Sequence, residues 1–192
     1  MIAVLMSIHP GPVHRIFTRR KTIEARKSYP AKMKIETPFR VYVYETKGQT
    51  DEPWQDKDGR IISKGRGLVV GEFTCIGFCR VMDFPEKFAR HPLFYSGAVE
   101  AACLTNDEVE AYGNGRPVYG WRIGDVKEYR EPKTIQDMHF TNTTTFPACS
   151  IVFPPQSWCY VEVRSCKPIV APPERETPEW GQFLKRRFER LE

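Results

Sequence analysis

Short runs of β-forming residues, broken by turn signals, dominate the pattern of hydrophobic and polar positions along the chain. Residues 1–7 make an apolar opening strand. The following Ser7-Ile8-His9-Pro10 predicts a helix start, with Ser7 or His9 near the cap and Pro10 in the first turn, where its missing N–H is not needed. Val13, Ile16 and Phe17 then recur at helical spacing, so a short helix with one packing face is expected. In Thr22-Ile23-Glu24-Ala25-Arg26 the alternation is strict. It predicts a strand with Thr22, Glu24 and Arg26 on a polar face and Ile23 and Ala25 on an apolar one.

Phe39-Arg40-Val41-Tyr42-Val43-Tyr44 reads as another strand, and residues 48–64 as a polar loop or hairpin insertion with Asp58-Gly59 at its turn. Residues 67–81 predict a long, curved strand with Gly77 as a bend or bulge. Leu104-Thr105-Asn106-Asp107-Glu108-Val109 carries a capping signal, so a short helix should run to about Tyr112 and end at Gly113-Asn114-Gly115. Strand character returns over residues 117–129 and in Tyr160-Val161-Glu162-Val163. A Pro-rich linker over 167–177 and an amphipathic helix over 178–192 should follow, with Trp180, Phe183, Leu184, Phe188 and Leu191 at 3–4 spacing. This helix is expected to dock on the domain or to join two copies as a homodimer.

Many short strands with few helices, and no βαβ alternation or internal repeat, argue for an α+β mixed β-barrel over residues 1–166 with short peripheral helices. A length of 192 residues with 41% hydrophobic content suits one core. No apolar run reaches membrane-spanning length, and residues 1–7 are too short before Pro10 for a signal peptide, so a cytoplasmic protein without a membrane partner is expected. There is no phosphate-binding P-loop, no dinucleotide fingerprint and no Gly-x-Ser-x-Gly elbow, and no cofactor is implied.

Charge changes the picture more than composition does. Residues 1–47 hold ten Lys and Arg against three acids, a balance of +7, while the whole chain carries only +5. A basic N-terminal third favours an anionic partner, and RNA is the commonest for a small domain. The six cysteines are dilute and sit mostly in apolar runs, which reads as buried thiols. Cys75 and Cys79 lie four apart, a spacing that shares a face in a regular strand, but His91 and Cys103 complete no finger or ribbon spacing, so no metal is expected.

The segment Arg19-Arg20-Lys21-Thr22-Ile23-Glu24-Ala25-Arg26 resembles the ASCH signature, Gly-x-Lys-x-x-Glu-x-Arg, with Arg19 in place of the glycine. Val70-Gly71-Glu72-Phe73, Tyr119-Gly120-Trp121-Arg122-Ile123 with Asp125 and Val126, and Pro154-Pro155-Gln156-Ser157-Trp158-Cys159-Tyr160-Val161 are similar to further segments of bacterial and phage ASCH proteins, in the same order. The resemblance implies a PUA-like barrel with a cleft along the signature strand, proposed in the family to hold RNA.

Lys21, Glu24, Arg26 and Arg20 are therefore the candidate RNA or nucleotide ligands, with Arg26 foremost. The same residues could instead form an internal Glu24–Arg26 ion pair. Trp121 and Arg122 join them as a possible stacking platform, with Tyr119, Tyr42 and Tyr44 read mainly as core and Trp158 as structural. His9, His14, His91 and His139 carry no pattern that marks a catalyst. The main reading is a non-enzymatic, regulatory RNA- or nucleotide-binding module.

Two alternatives remain open. Some ASCH proteins are amidohydrolases of N4-acylated cytidine with a working Lys, Thr and Glu. Here Lys21 is retained, Glu24 stands where that resemblance expects Thr, Thr22 is the adjacent hydroxyl, and Glu100 or Glu72 could supply the distant acid. A protein-interaction module acting through the C-terminal helix is the other.

Overall fold

The computed structural model describes residues 2–30, 35–56, 58–81, 95, 97–142 and 149–163. Its first strand, β1 (Ile2–Ile8), runs parallel to β3 (Phe39–Glu45) on one side and antiparallel to β10 (Trp158–Val163) on the other. β1 is buried on both faces, which is why it reads as an apolar run and not as an alternating one. Val4, Met6 and Ile8 enter one core cluster with Val41, Val43, Phe73 and Trp121; Ala3 and Leu5 enter a second with Tyr42, Tyr44 and Phe140.

Helix α1 (Pro10–Phe17) starts after His9, which holds extended backbone and makes no side-chain cap. It ends in a Schellman turn. Arg19 N–H donates to Ile16 O at 3.0 Å and Arg20 N–H to Arg15 O at 2.9 Å, with Arg19 left-handed at φ 59. The glycine of the signature thus corresponds to the left-handed residue that closes this helix. Phe17 packs back on the sheet above Gly71, where an added Cβ would lie 2.6 Å from its ring.

β2 (Ile23–Arg26) pairs with β7 (Tyr119–Lys133), and β7 with β6 (Leu68–Arg80), itself paired to β3. β8 (Phe140–Asn142) and β9 (Cys149–Ser150) extend the sheet beyond β10. The eight strands lie in the order β2-β7-β6-β3-β1-β10-β8-β9. The sheet is open, which corrects the expected barrel. Its edges, β2 and β9, are four and two residues long and share no ladder. Side chains from the β2 end instead reach β1 and β10, as described below.

Residues 48–64 contain the hairpin β4 (Gln49–Gln55) and β5 (Ile61–Lys64). Asp56 Oδ1 accepts from Asp58 N–H and Arg60 N–H, both at 2.9 Å, and fixes the turn at Gly59. The hairpin lies on α1 through a stack of Trp54 on His14, with ring centroids 4.5 Å apart, and an Arg15–Glu52 ion pair of 2.7 Å.

Between residues 81 and 104 the sequence singled out no helix, but a short one, α2 (Ala98–Ala101), precedes α3 (Asn106–Gly113). Thr105 and Glu108 form a reciprocal capping box at the start of α3, and Asn114 ends it in a left-handed conformation. Both helices pack with Ile23, Cys79 and Val118 in a third cluster.

Cys75 and Cys79 do not share a face. Cys75 belongs to the first cluster and Cys79 to the third, because the register shift between Cys75 and Gly77 inserts an extra residue and reverses the alternation. No cluster of metal-ligating side chains occurs among the described residues, and no helix there is long and apolar enough to cross a membrane. The predicted linker at 167–177 and helix at 178–192 lie outside the described residues, as does His91.

Candidate functional site

Strict alternation in β2 sends Ile23 and Ala25 toward α2 and α3 and turns Glu24 and Arg26 to the opposite face. Lys21 arrives between the Schellman turn and β2, and its ammonium donates to Ala102 O at 2.5 Å, at the end of α2. Its Nζ is also 3.5 Å from Glu24 Oε2. Arg26 Nη2 lies 3.0 Å from Glu24 Oε1 and donates to Ser7 O at 2.7 Å. The three residues form a Lys–Glu–Arg row with at most 9% of each exposed.

The row carries two positive charges and one negative one inside the protein. Glu24 Oε2 and Arg26 Nε each lack a hydrogen-bond partner among the described residues. An acceptor, 3.5 Å from the Lys21 ammonium, and a donor in the same row are therefore left without a hydrogen bond, a condition that buried polar groups otherwise avoid.

Aromatic rings stand beside the row. Across the β2–β7 ladder Glu24 faces Trp121 and Arg26 faces Tyr119, and across β6–β7 these face Phe78 and Arg80. Trp121 is fully buried, edge-on to Phe78 at 5.3 Å, to Phe39 at 6.0 Å and to Trp158 at 5.3 Å. Its indole N–H donates to Ser28 O and that of Trp158 to Ser28 Oγ, both at 3.1 Å. The chain leaving β2 is thereby strapped across the aromatic face, with Tyr29 laid against Phe78 and Tyr119. The strap and the Arg26–Ser7 bond join the β2 end to β1 and β10 without a backbone ladder.

The remaining candidates fall elsewhere. Arg20 and Thr22 are exposed; Thr22 engages through its main chain, with N–H to Ala101 O and its carbonyl to Ile123 N–H. Thr22 therefore does not continue the buried face of Glu24 and Arg26, as the alternation predicted. Arg122 pairs in register with Ile23, on the other face of β7 from Trp121, with its guanidinium 5.1 Å from the Tyr95 ring centroid. Tyr42 and Tyr44 are buried in the second cluster.

Glu72 pairs with Tyr42 in register, accepts from Tyr129 O–H at 2.6 Å and lies 3.7 Å from Arg40, on the opposite side of the sheet from Glu24. Glu100 is exposed on α2. His9 meets Thr46 at 3.3 Å, His14 stacks on Trp54, and His139 is left-handed at φ 49.

Sequence reading missed the Ser28-Tyr29 strap and Phe78. The run after β2 has no period, and its one local signal was the pair of residues Tyr29-Pro30, which stops a strand.

Among solved structures, the chain is similar to the crystal structure of ASCH from Zymomonas mobilis, with a TM-score of 0.52 at 16% identity, over 83% of this chain and 87% of that one. A point variant of the same bacterial protein matches with a TM-score of 0.51 at 15% identity, over 83% and 90%. The chain has the fold of the ASCH family. No family model and no curated protein matches the sequence. The ASCH likeness rests on the described sheet, a mixed eight-stranded PUA-like α+β arrangement in which the signature strand is an edge. In this ASCH fold the signature's Lys, Glu and Arg are the members of one buried row.

Proposed function

We propose that this chain is a regulatory RNA-binding module that holds the edge of an unstacked base, in a polymer or a free nucleotide, against the Lys21–Glu24–Arg26 row. The observation that carries this reading is the pair of open atoms in the row, Glu24 Oε2 and Arg26 Nε. An unmet buried polar atom costs about 1–3 kcal/mol. A ligand with a donor next to an acceptor would relieve both, and base edges have that pattern. A bare phosphate offers acceptors and negative charge, which the Glu24 carboxylate opposes.

The Tyr29 ring, 37% exposed and laid against Tyr119 over the buried Trp121, supports the same reading, because single-stranded bases are recognised by stacking combined with edge contacts. The +7 balance of residues 1–47 adds attraction for the phosphates outside the pocket. Binding is favoured over amide hydrolysis because neither the Thr22 hydroxyl nor Glu72 joins the row.

Fluorescence polarisation against single-stranded, hairpin and duplex RNA at two salt concentrations tests this, with Lys21→Ala and Arg26→Lys alongside. Arg26→Lys keeps the charge but removes Nε. Unpaired RNA should bind best, and each variant should weaken it about tenfold or more, the loss of one good contact. Variants that melt like the wild type and bind RNA equally well would overturn the site. Incubation with N4-acetylcytidine should leave acetate at background; release that disappears in Lys21→Ala would replace binding by hydrolysis as the function.

A further inference from the structure

The outer edge of β7 is only partly covered. β2 pairs with residues 119–122, and a last bond runs from Ile123 N–H to Thr22 O. From Gly124 to Lys133 no strand lies on that side among the described residues. The same stretch is loosely held on its inner side. Between the pairs Gly71–Glu128 and Val69–Lys133, four residues of β7 stand against one of β6, a bulge that bends the strand. An open cleft of about 600 Å³ follows this edge, lined by residues 127–131 together with Arg40, Glu72 and Met138.

Asp125, Lys127, Glu128, Arg130, Glu131 and Lys133 are all exposed on this stretch. Of these six, only Glu128 makes an ion pair among the described residues, to Arg66 at 4.0 Å, and it stays 55% exposed. Their order is a palindrome in charge about Tyr129, whose ring is fixed by its hydroxyl on Glu72. Laid antiparallel on itself with Tyr129 opposite Tyr129, the stretch brings Glu128 to Arg130, Lys127 to Glu131 and Asp125 to Lys133, each contact made twice. Moving the centre to Glu128 opposes Glu128 to itself and Asp125 to Glu131; moving it to Arg130 opposes Arg130 to itself and Lys127 to Lys133. A parallel arrangement in register opposes every charge to its own kind. Charges on a bare edge repel other chains. Here they exclude the neighbouring registers and admit one.

We infer that two copies of this chain associate along residues 125–133, antiparallel about a two-fold axis at Tyr129. The contact is made by long charged side chains and needs no regular backbone ladder, which the bulge and Pro132 would interrupt. A single strand edge is small beside the interface of a stable dimer, so the association is weak and depends on concentration. Because it is carried by exposed charges, salt opposes it.

Sedimentation velocity of the whole chain, from low to high micromolar concentration and at two salt concentrations, tests this. The mean mass should rise toward that of a dimer with concentration and fall back with salt. Lys127→Glu sets carboxylate against carboxylate twice in each dimer and should weaken association at least about tenfold. Glu131→Lys alone should do the same. Combining Lys127→Glu with Glu131→Lys restores the palindrome and should restore the dimer, a rescue that damage to the fold would not give. A monomer at every concentration would overturn the inference. So would a dimer that the single reversals leave intact, or a loss that the combined exchange fails to rescue.

Discussion

The guanidinium of Arg26 on edge strand β2 donates to the main-chain carbonyl of Ser7 at the far end of β1, 2.7 Å away. One side chain thus does two things: it pairs with Glu24 and it ties the free edge of the sheet to its centre. Removing it strands a buried carboxylate beside Lys21 alone. Arg26→Ala should cost roughly 3 kcal/mol, a lowering of Tm by about 6–12 °C for a chain of this size, read by thermal denaturation. Arg26→Lys should recover most of that stability without recovering RNA affinity, because a lysine has no Nε to offer.

Arg19 holds the left-handed position of the turn that closes α1. A non-glycine residue pays about 1 kcal/mol there, and glycine returns part of that gain through the unfolded chain. Arg19→Gly should therefore raise stability by roughly 0.5 kcal/mol or slightly more, visible as a Tm increase of about 2 °C. An unchanged or lower Tm would mean that the arginine makes a compensating contact.

Gly71 is where Phe17 of α1 meets the sheet. A Cβ there would lie 2.6 Å from Phe17 Cζ and would also press on the carbonyl of Lys127. Gly71→Ala should destabilise by roughly 1–3 kcal/mol in a denaturant titration, since a backbone carbonyl cannot move aside as a flexible side chain can. Phe17→Leu in the Gly71→Ala background should restore part of the loss.

Burial, with the nearby Arg20, holds the His14 imidazole below its ordinary pKa of 6.5, outweighing the pull of Glu128 and Glu52. The folded state thus binds the proton less well than the unfolded chain. The stability this contributes is present above the unfolded pKa and is lost as pH falls from about 6.5 through the folded value. Contact of the β4–β5 hairpin with α1 should loosen as pH falls below about 6.5, followed by Trp54 fluorescence, and His14→Gln should flatten the change.

Burial pushes the Cys75 thiol up to about 12 and those of Cys79 and Cys159 up to about 11. These three should resist alkylation at neutral pH, because the thiolate is the reactive form. Among the described cysteines the exposed Cys149 should be modified first. Mass mapping after brief iodoacetamide treatment checks the order; early labelling of Cys75 would contradict its packing in the core.

Local patterns were legible wherever one residue's neighbours in sequence are also its neighbours in space. The period-2 alternation of residues 22–26 marked β2 and the face that holds Glu24 and Arg26. Ser7-Ile8-His9-Pro10 marked the start of α1, and Thr105 with Glu108 the capping box of α3. The charge imbalance of residues 1–47 is a property of composition alone.

Long-range register decided the rest. The extra residue between Cys75 and Gly77 reversed the faces of β6 and parted two cysteines that regular alternation would unite. Pairing with Tyr42 put Glu72 on the opposite side of the sheet from Glu24, and pairing with Glu24 and Phe78 took Trp121 into the core. Closure by the Ser28 strap and Arg26, in place of a β2–β9 ladder, likewise depends on groups 19 to 130 residues apart. A strand's own residues determine that its side chains alternate; which side becomes interior is set by the partner strands and by every bulge between them, which no local period encodes.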